Sequence, residues 1–393
     1  MRILMIVLMY ITILGQLFSI QIPFLDAIVF GYTIRFLLYY AFIFISLVLW
    51  LGKCIYKRYI SKRDLGLIVF ILGPFLVGII EGWGFSNIII ESTLFLMPVA
   101  VYAYCSMLKM STKEFTFLFL ITTIVGSVLS VLVALRVIRT SIWAAEGMLV
   151  RAAGAIDSTL FVGGYIISFV MLFMSEDSKS IKESAFYLIS YLASICGLMF
   201  SESRMRILLV LALTIMFCCF NLLYKKSKFG NARFLIIVIL ILLIVSAYQP
   251  DLLIQSINQV VNRFSVFGSS DGNILYRGRE SSYQMQLFYT SPILGLGWGS
   301  RSLNEQMYAH NIFTTLLMQC GLVFSTFFAF WFMSFFKNTI RLAKCVSVNH
   351  DTIICSSILF ALVILGFTNA GIIQSGGYFM MTYVFLYEQQ YLK

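Results

Sequence analysis

The sequence predicts an all-α polytopic membrane protein, and three of its properties support that fold class. Of 393 residues, 60% are apolar and only 11% are Asp, Glu, Lys or Arg. A soluble domain carries about 25% charged residues, so this chain lacks the polar groups that a water-exposed surface needs. Its apolar residues form long runs of Ile, Leu, Phe and Val, whereas the strands of a membrane β-barrel alternate over about ten residues.

We predict about twelve membrane-spanning helices, because each needs about 20 mostly apolar residues. The predicted spans are 3–20, 33–51, 65–80, 87–106, 115–135, 155–174, 185–200, 205–223, 234–248, 311–336, 352–372 and 375–390. The first span follows Arg2 and lacks an Ala-x-Ala cleavage pattern, so we interpret it as a retained span. Residues 1–393 are therefore predicted to form a single integral membrane domain.

Basic residues set the predicted orientation, because cytoplasmic connections carry an excess of Lys and Arg. The connections 52–64, 224–233 and 337–351 are the basic ones, and twelve spans with both termini in the cytoplasm place all three inside. All 13 lysines then lie on the inner side. The outer side holds no lysine and ten arginines, namely Arg35, Arg136, Arg139, Arg151, Arg204, Arg206, Arg263, Arg277, Arg279 and Arg301.

This segregation of arginine indicates phosphate binding on the outer side. A guanidinium group holds phosphate through two parallel hydrogen bonds, whereas an ammonium group is a point charge. The alternative is that outer arginines only anchor helix ends at the interface, and we prefer it for Arg35, Arg136 and Arg139. Arg204 lies in a very short outer turn, where an ionisable group usually faces the protein interior or an aqueous cavity. Snorkelling to the interface is the alternative for Arg204.

The longest polar segment, 249–310, is predicted to be an external loop between the ninth and tenth spans. Its first part has the spacing of an amphipathic helix that lies in the membrane interface. A second helix is predicted over about 276–290, with one polar face formed by Arg279, Tyr283, Gln286 and Thr290. The run Gly295-Leu-Gly-Trp-Gly299 follows no strand, so it is not a dinucleotide fingerprint. We interpret it as a tight turn that allows close backbone approach.

Two histidines offer proton transfer near neutral pH. His310 lies where the external loop meets the tenth span, and the alternative to a catalytic role is a polar residue that caps the span. His350 lies in an inner connection and is interpreted as a solvated loop residue. The 8 cysteines form no CxxC pair, and His, Cys, Asp and Glu form no metal-ligand pattern, so no metal site is predicted.

Four short segments, taken in order, resemble a known family. They are Ser203-Arg204 at the start of a span, Arg279-x-x-x-Tyr283, Ser291-Pro292-Ile-Leu-Gly295-Leu-Gly297-Trp-Gly299, and His310-Asn311 followed by Leu316 and Gly321-Leu. This order is similar to the long-loop signature of the O-antigen ligase and polymerase superfamily. Those proteins are bacterial inner-membrane enzymes with about twelve spans and one large periplasmic loop. Tyr283 departs from the ligase pattern, in which tryptophan is common.

The resemblance implies glycosyl transfer outside the cytoplasm, from a glycan carried on undecaprenyl pyrophosphate. It implies that Arg204 and Arg279 bind the pyrophosphate, with Arg277 as a rival to Arg279 because Tyr276-Arg277-Gly278-Arg279 leaves the register open. It also implies that His310 is the general base. One displacement with a base and no nucleophile inverts the anomeric centre, and it requires no nucleotide, metal or other cofactor.

The acceptor distinguishes two members of the superfamily. It is a second lipid-linked repeat unit in a polymerase and lipid A-core in a ligase, and length and composition favour the polymerase. The expected partners are these lipid-linked oligosaccharides, membrane lipid, and a chain-length regulator and flippase of the same pathway, with no nucleic acid. The alternative in another class is a transporter of lipid-linked sugar, but a transporter places its charges near the membrane midplane. Here the candidate charges cluster at the outer ends of spans and in one loop.

Overall fold

A computed structural model describes residues 27–29, 32–57, 61–107, 110–134, 137–138, 157–174, 180–201, 203–220, 272–300, 311–345, 350–368 and 375–391. Within these ranges the chain forms α1 (Ile34–Lys57), α2 (Lys62–Ile80), α3 (Phe85–Cys105), α4 (Thr112–Ala134), α5 (Thr159–Phe169), α6 (Ile181–Ser201), α7 (Arg204–Phe220), α8 (Gly272–Thr290), α9 (Ile312–Cys345), α10 (His350–Thr368) and α11 (Ser375–Tyr391). A short antiparallel hairpin, β1 (Ile28–Val29) and β2 (Tyr32–Thr33), precedes α1, and a π-helical turn (Val170–Met174) extends α5.

Ten of the twelve predicted spans coincide with described helices, and the spans at 3–20 and 234–248 lie outside the described residues. Six described helices are long and apolar enough to cross a membrane, namely α1, α2, α4, α6, α9 and α10. Helix α3 adds a seventh if its two halves, which are bent by 56° between Thr93 and Phe95, form one span. The apolar helices 159–174 and 205–219 are shorter. The fold is thus a helical membrane bundle, and the full count of twelve spans stays a prediction.

Helix α11 lies at the centre of the bundle, where α3, α4, α5, α9 and α10 pack around it. Its side chains from Gly376 to Tyr387 are buried, including Phe379, Met380 and Tyr383. Large apolar side chains are exposed on the outer helices, as at Phe44 and Phe330. Exposed apolar surface on this scale is typical of a protein that faces lipid. A central helix needs no lipid-facing surface, which explains why α11 has a more polar composition than its neighbours.

The two ends of α11 lie in two polar clusters. At its start, Gly376 donates its N–H to Asp157, and at its end Glu388 binds Arg63. Gly376 and Glu388 are 12 positions apart, which corresponds to about 18 Å along the helix. We call the first cluster, formed by Asp157, Ser203, Arg206 and Arg277, the arginine end.

The opposite end, which we call the lysine end, holds the described lysine side chains Lys53, Lys62, Lys113, Lys182 and Lys337. Arg63 joins helices there: its Nη1 lies 2.8 and 2.9 Å from the two carboxylate oxygens of Glu388, and its Nη2 donates to the Tyr102 hydroxyl at 2.6 Å. The Tyr102 hydroxyl donates in turn to Asp64 at 3.1 Å. Helices α2, α3 and α11 are therefore tied together at this end.

Helix α9 is broken at Gly321, where φ is 59° and ψ is −171°. A break leaves backbone C=O groups before it and N–H groups after it without helical partners. The turn after α8 supplies those partners. Its Leu296 and Gly297 N–H groups donate to the C=O groups of Met318 and Gln319 at 3.0 and 2.9 Å. In the other direction, the Leu322 N–H donates to the Pro292 C=O at 2.9 Å, so the turn replaces the missing helical bonds.

The same turn also packs against α2 at backbone distance. The Trp298 N–H donates to the Pro74 C=O at 3.1 Å, and a Cβ atom on Gly297 would lie 2.3 Å from the Gly78 nitrogen. Gly295, Gly297 and Gly299 have φ values of 74°, 76° and 102°. L side chains rarely adopt such values, so this turn requires glycine. The predicted tight turn with close backbone approach is confirmed.

Candidate functional site

Arg206 is the buried centre of the arginine end. Only 8% of its surface is exposed. Its Nη2 and Nε donate to the Thr159 hydroxyl at 2.9 and 3.2 Å, and its Nη1 donates to the Ser203 hydroxyl at 3.0 Å. Its Nη2 also lies 3.5 Å from a carboxylate oxygen of Asp157. A charge buried this deeply has to be paired and hydrogen-bonded, and these neighbours provide that environment.

Asp157 brings the starts of three helices together around Arg206. One carboxylate oxygen accepts the Thr159 N–H of α5 at 2.9 Å, and the other accepts the Gly376 N–H of α11 at 2.7 Å. Helix α7 begins at Arg204, two residues before Arg206. The first turn of a helix carries unsatisfied N–H groups and a partial positive charge, which together favour anions. Three helix starts and a buried arginine thus give this end a positive potential.

Arg277 is the second arginine at this end. It is half-buried on α8, and its positive charge acts on the guanidinium group of Arg206. Two like charges close together are unfavourable unless an anion lies nearby. Asp157 supplies one negative charge to Arg206. Each guanidinium group has a planar fork of N–H donors, and this fork matches the geometry of carboxylate and phosphate groups.

Arg277 and Arg279 lie on different faces of α8. The face that carries Arg277 continues through Glu280, Gln284 and Phe288, which are buried. Arg279, Tyr283, Gln286 and Thr290 are all exposed, so the polar face predicted from the sequence is confirmed. The helix begins at Gly272, four residues before its predicted start. The charge of Arg277 thus acts on Arg206, whereas Arg279 lies on the exposed face of α8.

The buried face of α8 is held against the start of α9 by side-chain hydrogen bonds. Thr314 and Thr315 donate from their hydroxyls to the Gln284 side-chain oxygen, and the Gln284 amide donates to Glu280 at 3.5 Å. Asn311 caps α9, because its side-chain oxygen accepts the Phe313 N–H at 3.0 Å. Position 310 immediately precedes this cap in the chain.

Some predicted site positions lie outside what the structure describes. His310 is outside the described residues, as are Arg136, Arg139, Arg151, Arg263 and Arg301. Arg204 is the first residue of α7, immediately after the short turn that the sequence predicts, but its side chain is not described. The roles of Arg204, Arg279 and His310 therefore remain predictions.

Three residues of this region were not selected by sequence reasoning. Asp157 and Arg206 form the core of the arginine end, and Glu91 is a buried acid in α3. The Glu91 carboxylate accepts the Gly299 N–H and the Gln319 side-chain amide, both at 2.7 Å. It therefore holds the glycine-rich turn in the break of α9. A signal existed for Arg206, because it lies at helical spacing from Leu209, Val210, Leu213 and Phe217, which form the buried face of α7.

Comparison with known proteins identifies part of the chain. The family model for O-antigen ligase matches residues 189–329, and no curated protein matches the chain. The matched segment runs from α6 through the two arginine-bearing helices α7 and α8 to the part of α9 beyond its break. The resemblance to the O-antigen ligase and polymerase superfamily is thus confirmed over residues 189–329, which contain every site residue predicted from the sequence.

Proposed function

We propose that this protein is a membrane glycosyltransferase that polymerises undecaprenyl-pyrophosphate-linked oligosaccharide repeat units. The product is an O-antigen or capsule-type polysaccharide, made on the outer side of the bacterial inner membrane. One observation carries the proposal: Arg206, on which the charge of Arg277 acts, lies at the starts of α5, α7 and α11, and both arginines belong to the segment that matches the O-antigen ligase family.

The arginines act on the leaving group. As the sugar bond of the donor breaks, negative charge develops on the pyrophosphate oxygens, and cationic donors aimed at that charge stabilise the transition state more than the ground state. The geometry supports Arg206 and Arg277 as these donors, whereas the family resemblance implies Arg204 and Arg279. Asp157 is proposed as a positioning residue, because its carboxylate pairs with the guanidinium group of Arg206.

His310 acts on the acceptor. The acceptor oxygen forms a bond to the anomeric carbon, the bond from that carbon to the phosphate oxygen breaks, and the proton of the acceptor hydroxyl moves to the imidazole. The undecaprenyl pyrophosphate leaves as an anion. A single displacement of this kind inverts the anomeric centre and is proposed to be independent of metal. The second interpretation of His310 is an imidazole that contacts phosphate.

The separation of charges along the bundle supports the proposed orientation. The described lysine side chains lie at one end, and Arg206 and Arg277 lie at the other. An excess of positive residues favours a cytoplasmic position for the lysine end. The arginine end then faces the outer side, where we propose that lipid-linked repeat units are joined. The undecaprenyl tail then lies among the spans, and the pyrophosphate reaches the interface. A flippase and a chain-length regulator are the proposed protein partners.

A ligase is the second candidate, because the matching family model is described as O-antigen ligase. The deciding experiment uses the purified full-length protein in liposomes with a synthetic lipid-linked repeat unit, analysed on a gel, with and without lipid A-core. The proposal predicts a ladder of products without lipid A-core. Transfer to lipid A-core without a ladder would establish the ligase instead. Movement of the lipid-linked unit across the membrane without any product would establish a transporter and overturn both.

A further inference from the structure

A broad groove opens at the lysine end of the bundle, remote from the proposed catalytic end. It has a volume of about 1720 Å³ and lies between α1, α2, α3, α9 and α11. Small-molecule pockets usually enclose about 300–1,000 Å³, so the groove is larger than a site for a compact metabolite. Its basic side chains come from three helices and are Lys53, Lys62, Arg63, Lys337 and Arg341.

The groove carries excess positive charge. Its five basic side chains face two acids, Asp64 and Glu388. Glu388 is engaged by Arg63, and Asp64 accepts hydrogen bonds from Ser61 and Tyr102. Lys53 is directed into the bundle, where its ammonium group donates to the Ser106 C=O at 2.6 Å. Cytoplasmic connections favour positive residues for the sake of orientation. That preference does not explain why basic side chains from different helices surround one groove.

An apolar stripe on α9 leads away from these charges. Phe330, Met333 and Ile340 line the groove, and each is more than half exposed. They recur at three- and seven-residue spacing and so share a helix face with Lys337 and Arg341. Phe330 and Arg341 are 11 positions apart, or about 16 Å along the helix, which is about half of a hydrocarbon core of roughly 30 Å. The stripe is therefore about as long as one leaflet is thick, and Arg341 lies at one end of it.

We propose that this groove binds an anionic phospholipid of the adjacent leaflet. The head-group phosphate lies among Lys62, Lys337 and Arg341, and an acyl chain follows the stripe from Ile340 to Phe330. Charge complementarity selects an anionic over a zwitterionic lipid, because basic residues near a membrane surface attract anionic head groups. The apolar stripe selects a lipid over a free phosphate ion, which has no group to cover Phe330 and Met333. The site is independent of the glycosyl transfer proposed above.

The test measures lipid binding to the delipidated full-length protein by native mass spectrometry. Phosphatidylglycerol and phosphatidylcholine with identical acyl chains are titrated separately, and inorganic phosphate is added as a competitor. Wild-type protein should bind phosphatidylglycerol more tightly. The double variant Lys62→Gln/Lys337→Gln should bind it about 10- to 30-fold more weakly, as expected from the loss of two basic residues at a membrane surface.

The matched control is Lys113→Gln/Lys182→Gln, which removes the same charge at the same end of the bundle but outside the groove. It should bind like wild type, and Lys62→Arg/Lys337→Arg should too, which excludes a general folding defect. Equal binding of the two lipids by wild type, or an equal loss in the control, would overturn the proposal. Competition by inorganic phosphate at concentrations similar to those of the lipid would assign the groove to free phosphate and overturn the lipid site.

Discussion

Two arginine–carboxylate pairs, at opposite ends of the bundle, differ in the geometry of the contact between the guanidinium group and the carboxylate. At the lysine end, Arg63 meets both oxygens of Glu388 at 2.8 and 2.9 Å, and its guanidinium group lies 5.0 Å from the centre of the Phe335 ring. At the arginine end, Arg206 lies 3.5 Å from one oxygen of Asp157. Its shorter contacts are to neutral hydroxyl groups, and the charge of a second arginine acts on it.

The difference separates a structural pair from a binding site. A bidentate contact between Arg63 and Glu388 satisfies both charges and fixes α2 to α11. At the arginine end the charge of Arg277 acts on Arg206, and helix starts, which favour an anion, lie around that guanidinium group. We therefore expect substitutions at the lysine end to change stability and substitutions at the arginine end to change turnover.

The largest expected effect on turnover contrasts the two histidines. His310→Ala should reduce polymer formation about 100- to 10,000-fold, because general acid–base assistance contributes that much. The protein should still insert and still bind the lipid-linked unit, since arginines carry that binding. The acid limb of the wild-type rate profile should reflect an ionisation in the usual histidine range, about pH 6–7, and should flatten in the variant.

The control for this prediction is His350→Ala. The His350 ring lies at the lysine end, 3.3 Å from its neighbour Asp351, so its loss should leave turnover unchanged. A normal rate in His310→Ala would remove the base assignment and make Glu280 or Glu305 the next candidates. Loss of substrate binding in the variant would instead support the phosphate-contacting imidazole.

The largest expected effect on stability is at the lysine end. Glu388→Ala removes the carboxylate partner of the partly buried Arg63, and the loss of one member of a fully buried pair, at about 3–5 kcal/mol, sets the upper limit of the cost. Thermal unfolding in detergent should show a clear fall in melting temperature, with unchanged turnover per folded molecule. Lys113→Gln is the matched control, because its pair with Glu183 is 3.9 Å long and mostly exposed. It should unfold like wild type. If Glu388→Ala were as stable as wild type but had reduced turnover, the lysine end would affect turnover and not stability, contrary to our expectation.

A smaller expected effect distinguishes which arginine of α8 contacts the phosphate. Arg277→Lys keeps the charge but loses the planar fork, and loss of one such transition-state contact costs about 2–4 kcal/mol, or roughly 30- to 1000-fold in rate. Arg279→Lys is two residues away on the exposed face, and we expect it to retain most of its activity. Ladder formation in cells at matched protein levels measures both. The opposite result would place the contact at Arg279, as the family resemblance implies.

The last prediction concerns which side of the membrane each end of the bundle faces. It is tested by labelling and needs no activity measurement. Intact spheroplasts treated with a membrane-impermeant amine reagent should leave all 13 lysines unlabelled, because the lysine end is expected in the cytoplasm. Mass spectrometry after labelling then measures the modification of each lysine. Modification of Lys109 or Lys179 from outside would remove at least one predicted span.

The helices could be predicted from the sequence where the signal was local. Runs of apolar residues predicted ten of the described helices, and most predicted ends lie within several residues of the ends in the structure. Helix α8 also has the predicted polar face. The span predicted at 311–336 is longer, 312–345, and broken at Gly321. Its break could not be predicted, because it depends on hydrogen bonds from the turn at 292–297, which is supplied by a separate segment.

The candidate site was predictable only in part, for the same physical reason. Asp157 bonds to Gly376, 219 residues away, and Glu91 bonds to Gly299, 208 residues away. No sequence pattern pairs such distant groups. Arg206 was within reach, because helical spacing places it with Leu213 and Phe217 on the buried face of α7. The family resemblance implies a role for Arg204 instead.

The central claim is that the arginine end binds the departing pyrophosphate, and Arg206→Lys tests it most directly against Arg63→Lys. Both variants keep the charge at an arginine that pairs with a carboxylate, one at each end of the bundle. The measurement is the initial rate of ladder formation from a lipid-linked repeat unit by purified protein in liposomes, per folded molecule. We predict a rate about 30- to 1000-fold lower for Arg206→Lys and a near-normal rate for Arg63→Lys. A normal rate for Arg206→Lys, with Arg63→Lys impaired, would contradict the account.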